Sequence, residues 1–355
     1  MQEIVEYLRV AVEQGASDIF IGAGHHIAFK KDGHIALEGD GVIDPVKSRK
    51  LLSELYELAD RPMHDFSERG DDDFPVSVPN LARFRVNAFM QRGTMAAVIR
   101  VVLFGIPDFV QMKISSEVMK IAAEKNGLVL VTGAAGCGKS TTLACIIDAV
   151  NNTRNCHIIT LEDPIEYLHR DSKSIISQRE ISIDTQSYLN ALRACLRQAP
   201  DIILLGEMRD HETIRTAMTA AETGHLLIST LHTTGAVNTV DRIIDVFPPS
   251  QHSQVRMQLS TLLRTVVSQQ LLPDKKGGLI PAFEIMYVNS AIRNLIREAK
   301  THQIDGVIQT SSREGMISMD AYILKLYRDG EITAETAISY SANQEQMERR
   351  LEAQK

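Results

Sequence analysis

Leu128-Val129-Leu130-Val131-Thr132-Gly133-Ala134-Ala135-Gly136-Cys137-Gly138-Lys139-Ser140 decides the fold. The apolar opening reads as a short buried strand. Residues 133–140 fit the phosphate-binding pattern GxxxxGK[ST] completely, directly after that strand and before a helix expected to begin near Ser140. Each part answers a physical need. Gly133, Gly136 and Gly138 let the backbone curl so that successive N–H groups, from Ala134 through Cys137, face phosphate oxygens. The start of the helix adds a favourable dipole potential. Lys139 is expected to reach the β- and γ-phosphates of a nucleotide, Ser140 to ligate Mg²⁺, and Thr141 to complete the binding set. ATP and Mg²⁺ are the ligands this loop implies.

Outward from this loop the rhythm is strand and helix in alternation. Short apolar runs at 128–132, 157–161, 201–205 and 226–230 are separated by helical stretches, which predicts an α/β fold with a mostly parallel sheet and helices on both faces. Helices are expected to dominate from Pro249 onward, and the polar residues 343–355 read as a frayed or partner-docked helix. The first hundred residues differ. Ile4, Leu8 and Val12 share a helical face stopped by Gly15; 27–37 reads as a hairpin about Lys31-Asp32-Gly33; 45–59 looks helical; 83–90 and 94–102 read as a second hairpin. The predicted organisation is an N-terminal α+β domain at 1–102, a linker at 103–114 and an ATPase domain at 115–355 with a helical C-terminal part.

Three further segments carry chemistry. Asp201-Ile202-Ile203-Leu204-Leu205-Gly206-Glu207 is a buried strand ending in a carboxylate, the Walker B pattern. At the C-terminal edge of an open sheet, Glu207 can hold Mg²⁺ through water or orient an attacking water. Glu162-Asp163-Pro164-Ile165-Glu166 comes after the 157–161 strand, and its two glutamates can converge on a γ-phosphate or form a solvated acidic loop. His225 and His232 bracket the fourth strand; their spacing excludes a shared metal, and local pattern leaves each open between sensing phosphate and a structural role.

Composition narrows the class. The 355 residues carry a formal charge of −7, which argues against non-specific binding to nucleic acid, since that needs clustered lysine and arginine. Four cysteines without a CxxC pair argue against a zinc site or a disulfide framework and for buried reduced thiols. No apolar run has the length to span a membrane, and the acidic start lacks the features of a signal peptide, so the expected location is the cytoplasm.

The order of P-loop, acidic box, Walker B and histidine box resembles the secretion and pilus ATPase superfamily of ring-forming motors. The likeness extends to Gly15-Ala16-Ser17-Asp18 and Arg83-Phe84-Arg85-Val86-Asn87-Ala88-Phe89. Ala291-Ile292-Arg293-Asn294-Leu295-Ile296-Arg297-Glu298 looks like the signature segment of its retraction branch, the PilT-type twitching motility ATPases. It also reads unaided as an amphipathic helix with a basic stripe. The resemblance implies a PAS-like N-terminal domain, a RecA-like ATPase domain and a homohexameric ring hydrolysing Mg-ATP to retract a type IV pilus. It implies Glu166 and Glu207 as leading catalytic carboxylates with Glu162 beside them. His225 and His232 take nucleotide-sensing or interdomain roles, and Arg85, Arg100, Arg193 and Arg197 complete the site across an interface. It further implies docking at the inner face of the cell membrane, on a platform protein of the PilC type, with the pilus-assembly ATPase as a further partner. A pilus-assembly or type II secretion ATPase is the alternative of the same fold. Those relatives usually carry a tetracysteine zinc motif that is missing here. Departures from the family pattern are Ala134-Ala135 for Pro-Thr, His25-His26 for Pro-Pro, and Ala199 for an Asp.

Overall fold

A computed structural model describes residues 2–31, 34–38, 41–102 and 105–353, the side chain of Asp65 excepted. It forms two units, Met1–Gly105 with Glu166–Leu168, and Ile106–Ile165 with His169–Lys355.

In the first unit, α1 (Glu3–Gln14) buries Ile4, Leu8 and Ala11 and ends at Gly15 with φ 72°, the left-handed stop that its glycine accepts without strain. β1 (Asp18–Gly22), β2 (Ile27–Lys31) and β3 (His34–Glu38) precede α2 (Pro45–Leu58). Pro45 opens that helix, and the Asp44 carboxylate accepts from the Lys47 N–H at 2.7 Å. After α3 (His64–Arg69) come β4 (Asp71–Val78), β5 (Ala82–Gln91) and β6 (Thr94–Val102), giving an antiparallel sheet of order β3-β2-β1-β6-β5-β4. Both expected hairpins form, with Lys31 opposite His34 and Gln91 opposite Thr94; Asp32 and Gly33 lie outside the described residues. Strands β1 and β4 were not legible, because β1 is short and β4 opens on three aspartates.

In the second unit, α4 (Ser116–Met119) leads to β7 (Gly127–Thr132), α5 (Lys139–Thr153), β8 (His157–Glu162) and β9 (Ile175–Glu180). Then come α6 (Tyr188–Cys195), β10 (Ile202–Leu205), α7 (His211–Glu222), β11 (Leu226–Leu231), α8 (Ala236–Asp245) and α9 (His252–Leu262). The expectation of helices from Pro249 onward needs correcting. β12 (Leu263–Pro273) and β13 (Leu279–Tyr287) extend the sheet before α10 (Ser290–Arg297), α11 (Ile304–Thr310), α12 (Met319–Arg328), α13 (Ala334–Tyr340) and α14 (Gln344–Glu352). The sheet order is β13-β12-β7-β11-β10-β8-β9, parallel throughout except for the β12–β13 pair. The β12 strand hid because Ser268 and Gln269 interrupt its apolar run, although both are buried.

Alternate residues of the central strands feed two cores, as a sheet covered on both faces requires. Leu128 and Leu130 pack with α6–α11; Val129 and Val131 pack with α5 and α12–α14. Met347 and Leu351 of α14 are buried in the second core, so the C-terminal helix docks on its own unit and is not frayed. Ile106 and Phe109 of the expected linker pack against that same core. Among the described residues no helix is long and apolar enough to cross a membrane.

Ala199 takes φ 50° in the loop before β10. Left-handed backbone crowds a Cβ against the following carbonyl, and aspartate or asparagine tolerates it through local hydrogen bonding. The family's Asp at this position therefore has a backbone reason, apart from any ion pair with Arg197. Replacing Ala199→Asn should raise unfolding free energy by about 0.5–1 kcal/mol. Urea denaturation of the purified chain checks it; an unchanged midpoint would mean the loop relaxes to another conformation.

Candidate functional site

Parallel register sets the site. Thr132 is opposite Leu231, Ser229 opposite Leu205, and Leu205 opposite Leu161. The next residues of four strands (Gly133, His232, Gly206-Glu207 and Glu162) therefore emerge together at the C-terminal edge of the sheet, where open α/β sheets bind ligands.

The P-loop runs from Gly133 at φ 142° through Gly136 at 77° to Gly138 at 87°, and Gly138 is the N-cap of α5. Gly133 has a second reason to be glycine. A Cβ there would lie 2.3 Å from the Gln269 carbonyl oxygen and 2.7 Å from Cys137 Sγ. Ala134, Ala135 and Gly136 are exposed, Cys137 is buried, and Gly138 through Thr141 are half-buried. Lys139 Nζ donates to the carbonyls of Gly133 at 2.8 Å and Ala134 at 2.9 Å. Burial pushes the Cys137 thiol up against the pull of the neighbouring Lys139 ammonium, so it stays protonated at neutral pH. The buried thiols of Cys145 and Cys195 are likewise pushed up, each to about 11.

Glu207 ends the β10 run with its carboxylate 12% exposed. One oxygen pairs with Arg209, and the other lies 3.3 Å from His232 Nε2. Gly206 before it gives its carbonyl to the Thr230 hydroxyl at 2.5 Å, and a Cβ on Gly206 would meet the Tyr188 hydroxyl at 2.5 Å. Tyr188 roofs this corner. Burial pushes its phenol far up, reinforced by the charges of Asp163 and Glu207.

Glu162 accepts from the Thr160 hydroxyl at 2.6 Å and from Gln178 Nε2 at 3.2 Å. Gln178 in turn accepts the His169 N–H at 2.8 Å. Glu166 comes after the cis Asp163-Pro164 bond, is exposed, and groups with the first unit. Glu162 and Glu207 thus share the sheet edge.

His225 precedes β11 and so sits at the opposite edge of the sheet from His232. The six residues of β11 separate them by roughly 20 Å of strand. Its ring Nδ1 lies 2.9 Å from the Ala220 carbonyl and 3.1 Å from the Thr223 hydroxyl, closing the end of α7. The two histidines are not brought together. Arg193 and Arg197 are exposed at the end of α6; Arg193 lies 3.9 Å from Glu212, and Arg197 donates to the Arg193 carbonyl at 3.2 Å. In the first unit, Arg85 and Arg100 face one another across β5 and β6. Arg85 pairs with Asp73 at 2.5 Å and Arg100 with Asp18 at 3.0 Å.

Sequence reading missed Arg209, Tyr188, Gln178 and Gln269. The available signal for the last two was polar residues within β-rich runs; a polar side chain held in a strand, half-buried as Gln178 is or buried as Gln269 is, needs a partner, and here the partners belong to the site.

The type II/IV secretion system protein family matches residues 1–319. The chain is 43% identical over 336 residues to the type IV pilus retraction ATPase PilT of Pseudomonas aeruginosa, covering 94% of this chain and 97% of that one. It is 50% identical over 276 residues to a twitching motility protein of Neisseria gonorrhoeae, covering 78% and 74%. A crystal structure of the pilus retraction motor PilT with bound ADP aligns at a TM-score of 0.90 and 43% identity, over 98% of this chain and 99% of that one.

His169, behind Glu162, gives the site a pH signature. Burial pulls its ring down to about 4, and its Nδ1 is buried without a hydrogen-bond partner among the described residues. An unfolded chain protonates the same ring near pH 6.5, so the stability from the neutral buried form is complete above that pH. It is lost as pH falls toward 4, by about 2 kcal/mol at pH 5. His169→Gln should flatten the wild-type fall in urea-unfolding free energy between pH 7 and 5 by that amount. Parallel curves for the two proteins would place the ring in water.

Proposed function

The chain belongs to the type II/IV secretion system protein family, and we propose that it is the ATPase motor of type IV pilus retraction, the engine of twitching motility. The observation that carries this reading is the gathering of P-loop, Glu162, Glu207 and His232 at one sheet edge, in a chain whose likeness to PilT covers 94% of its length in sequence and 98% in structure. The binding residues are Gly133 through Thr141. Backbone N–H groups of the loop hold the phosphates, and Lys139 leaves the Gly133 and Ala134 carbonyls to neutralise the β- and γ-oxygens. The missing hydroxyl at Ala135 costs little, because backbone groups do most of this work.

The residues fit Mg²⁺. Ser140 stands in the first turn of the helix under the loop, and Glu207 supplies a nearly buried carboxylate at the same edge. When bound, Mg²⁺ neutralises charge on the phosphates. Glu207, held by Arg209 and His232, is the carboxylate that orients the attacking water; His232 transmits the presence of a γ-phosphate to it. Glu162 supports that edge, and Glu166 acts from a neighbouring element once the ring assembles. Arg85 and Arg100, or Arg193 and Arg197, complete the charge stabilisation across an interface, for which arginine's permanent charge suits them. His225, at the far edge, is not placed for phosphoryl transfer.

In this reading residues 1–102 and 115–355 act as separate bodies of a homohexamer in the cytoplasm. Closure on ATP and reopening after hydrolysis turn a membrane platform protein of the PilC type, opposing the assembly ATPase. Arg297, exposed at the end of α10, is the docking candidate on the motor; Arg293 is half-buried, and Lys300 lies beyond the helix, paired with Glu298 at 2.8 Å.

Lys139→Ala and Glu207→Gln should each lower Mg-ATPase turnover at least about 100-fold while leaving the fold intact. Full activity in either would remove the site assignment. In the host, deletion of the gene should leave excess surface pili that no longer shorten, counted by electron microscopy. A bald surface would make the protein an assembly ATPase.

A further inference from the structure

We propose that Gln269, on the strand beside the P-loop and outside every phosphate-binding motif, positions the loop for nucleotide. The inference rests on the ATP-binding reading of the loop. Gln269 is 2% exposed in β12, one residue beyond the last register pair of β12 with β7, Ser268 opposite Thr132. That places it level with Gly133. Its amide joins two parts of the phosphate-binding element: Nε2 donates to the Cys137 carbonyl at 2.7 Å, and Oε1 accepts from the Thr142 hydroxyl at 2.8 Å.

The amide orientation is set by the chemistry. A backbone carbonyl can only accept, so nitrogen must face Cys137, and oxygen is left for Thr142, itself fully buried on α5. The backbone of Gln269 also fills the space behind Gly133, and its Nε2 lies 2.9 Å from where a Cβ on Gly138 would stand. One residue thus touches the loop at its first glycine, its buried middle and its last glycine.

The direction of these contacts gives the function. A P-loop binds phosphate by turning N–H groups outward, and each peptide so turned points its carbonyl inward, away from water. The inward Cys137 carbonyl needs a donor that never leaves when nucleotide binds. Lys139 cannot serve, because phosphate recruits it. Gln269 is that donor, and Thr142 keeps its amide from turning over. Its role is therefore in the affinity for phosphate more than in the chemical step.

The test uses the full chain, with MgADP binding by calorimetry and steady-state Mg-ATPase at pH 6 and pH 8.5. Gln269→Met keeps volume and removes both hydrogen bonds. It should weaken MgADP and raise KM by about tenfold at both pH values, with kcat changed less. Gln269→Glu should bind MgADP more weakly at pH 8.5 than at pH 6, because burial raises the carboxyl toward this range and its protonated form restores a donor to the Cys137 carbonyl. Thr142→Val, which leaves the donor in place, should weaken binding by only about threefold. Wild-type affinity in Gln269→Met, or a pH-independent defect in Gln269→Glu, overturns the proposal. Should Gln269→Met fail to fold, the pH dependence of Gln269→Glu decides alone. If the unaltered chain binds no MgADP, the ATP reading fails and takes this inference with it; if it binds and Gln269→Met binds equally, only the role of Gln269 fails.

Discussion

A backbone that turns its N–H groups toward a ligand must turn its carbonyls toward the protein, and the interior has to satisfy them. Much of the second unit can be understood from that constraint. The carbonyls of Gly133 and Ala134 are taken by Lys139, a movable partner, and that of Cys137 by Gln269, a fixed one. Buried Gln269 requires β12 to lie beside β7, so the sheet needs a strand that its apolar pattern alone would not announce. Close approach then accounts for the first glycine: Gly133 sits against the Gln269 carbonyl, where any side chain would collide with backbone.

The same strand serves the other side of the sheet. Ser268, one residue before Gln269 and therefore on the opposite face, accepts the Gly235 N–H at 2.9 Å. Its cross-strand partner Glu284 accepts the Ala236 N–H at 2.7 Å. Helix α8 lacks a side-chain cap of its own, and these two residues supply one from β12 and β13, with the Glu284 carboxylate favourably placed at a helix N-terminus. The turn they hold is the one just after His232. Loop and histidine are thus both referenced to one buried antiparallel pair.

The readable and unreadable parts of the sequence divide along this line. The parallel strands and the P-loop were legible because burial on both faces writes continuous apolar runs, and because GxxxxGK[ST] is a local backbone requirement. Glu207 and Glu162 were legible for a related reason: each ends such a run, and register alone carries them to one edge. What local pattern could not supply was direction along a strand. His225 and His232 looked equivalent as brackets, yet one precedes β11 and the other comes after it, so parallel topology sends them to opposite edges. Strands β12 and β9 were hidden by polar residues whose reason lies in distant loops, Gln269 in the P-loop and Gln178 at Glu162.

Glu162 and Glu207 also show why two carboxylates at one edge need not repel into solvent. Each is met by donors that differ in kind. Glu162 takes the Thr160 hydroxyl and the Gln178 amide among its donors. Glu207 takes the guanidinium of Arg209, whose side chain is mostly exposed, together with the His232 ring. An exposed arginine is poorly held by entropy and well screened by water, so it can exchange partners when phosphate charge arrives. Glu207 therefore has in Arg209 a partner that can be exchanged.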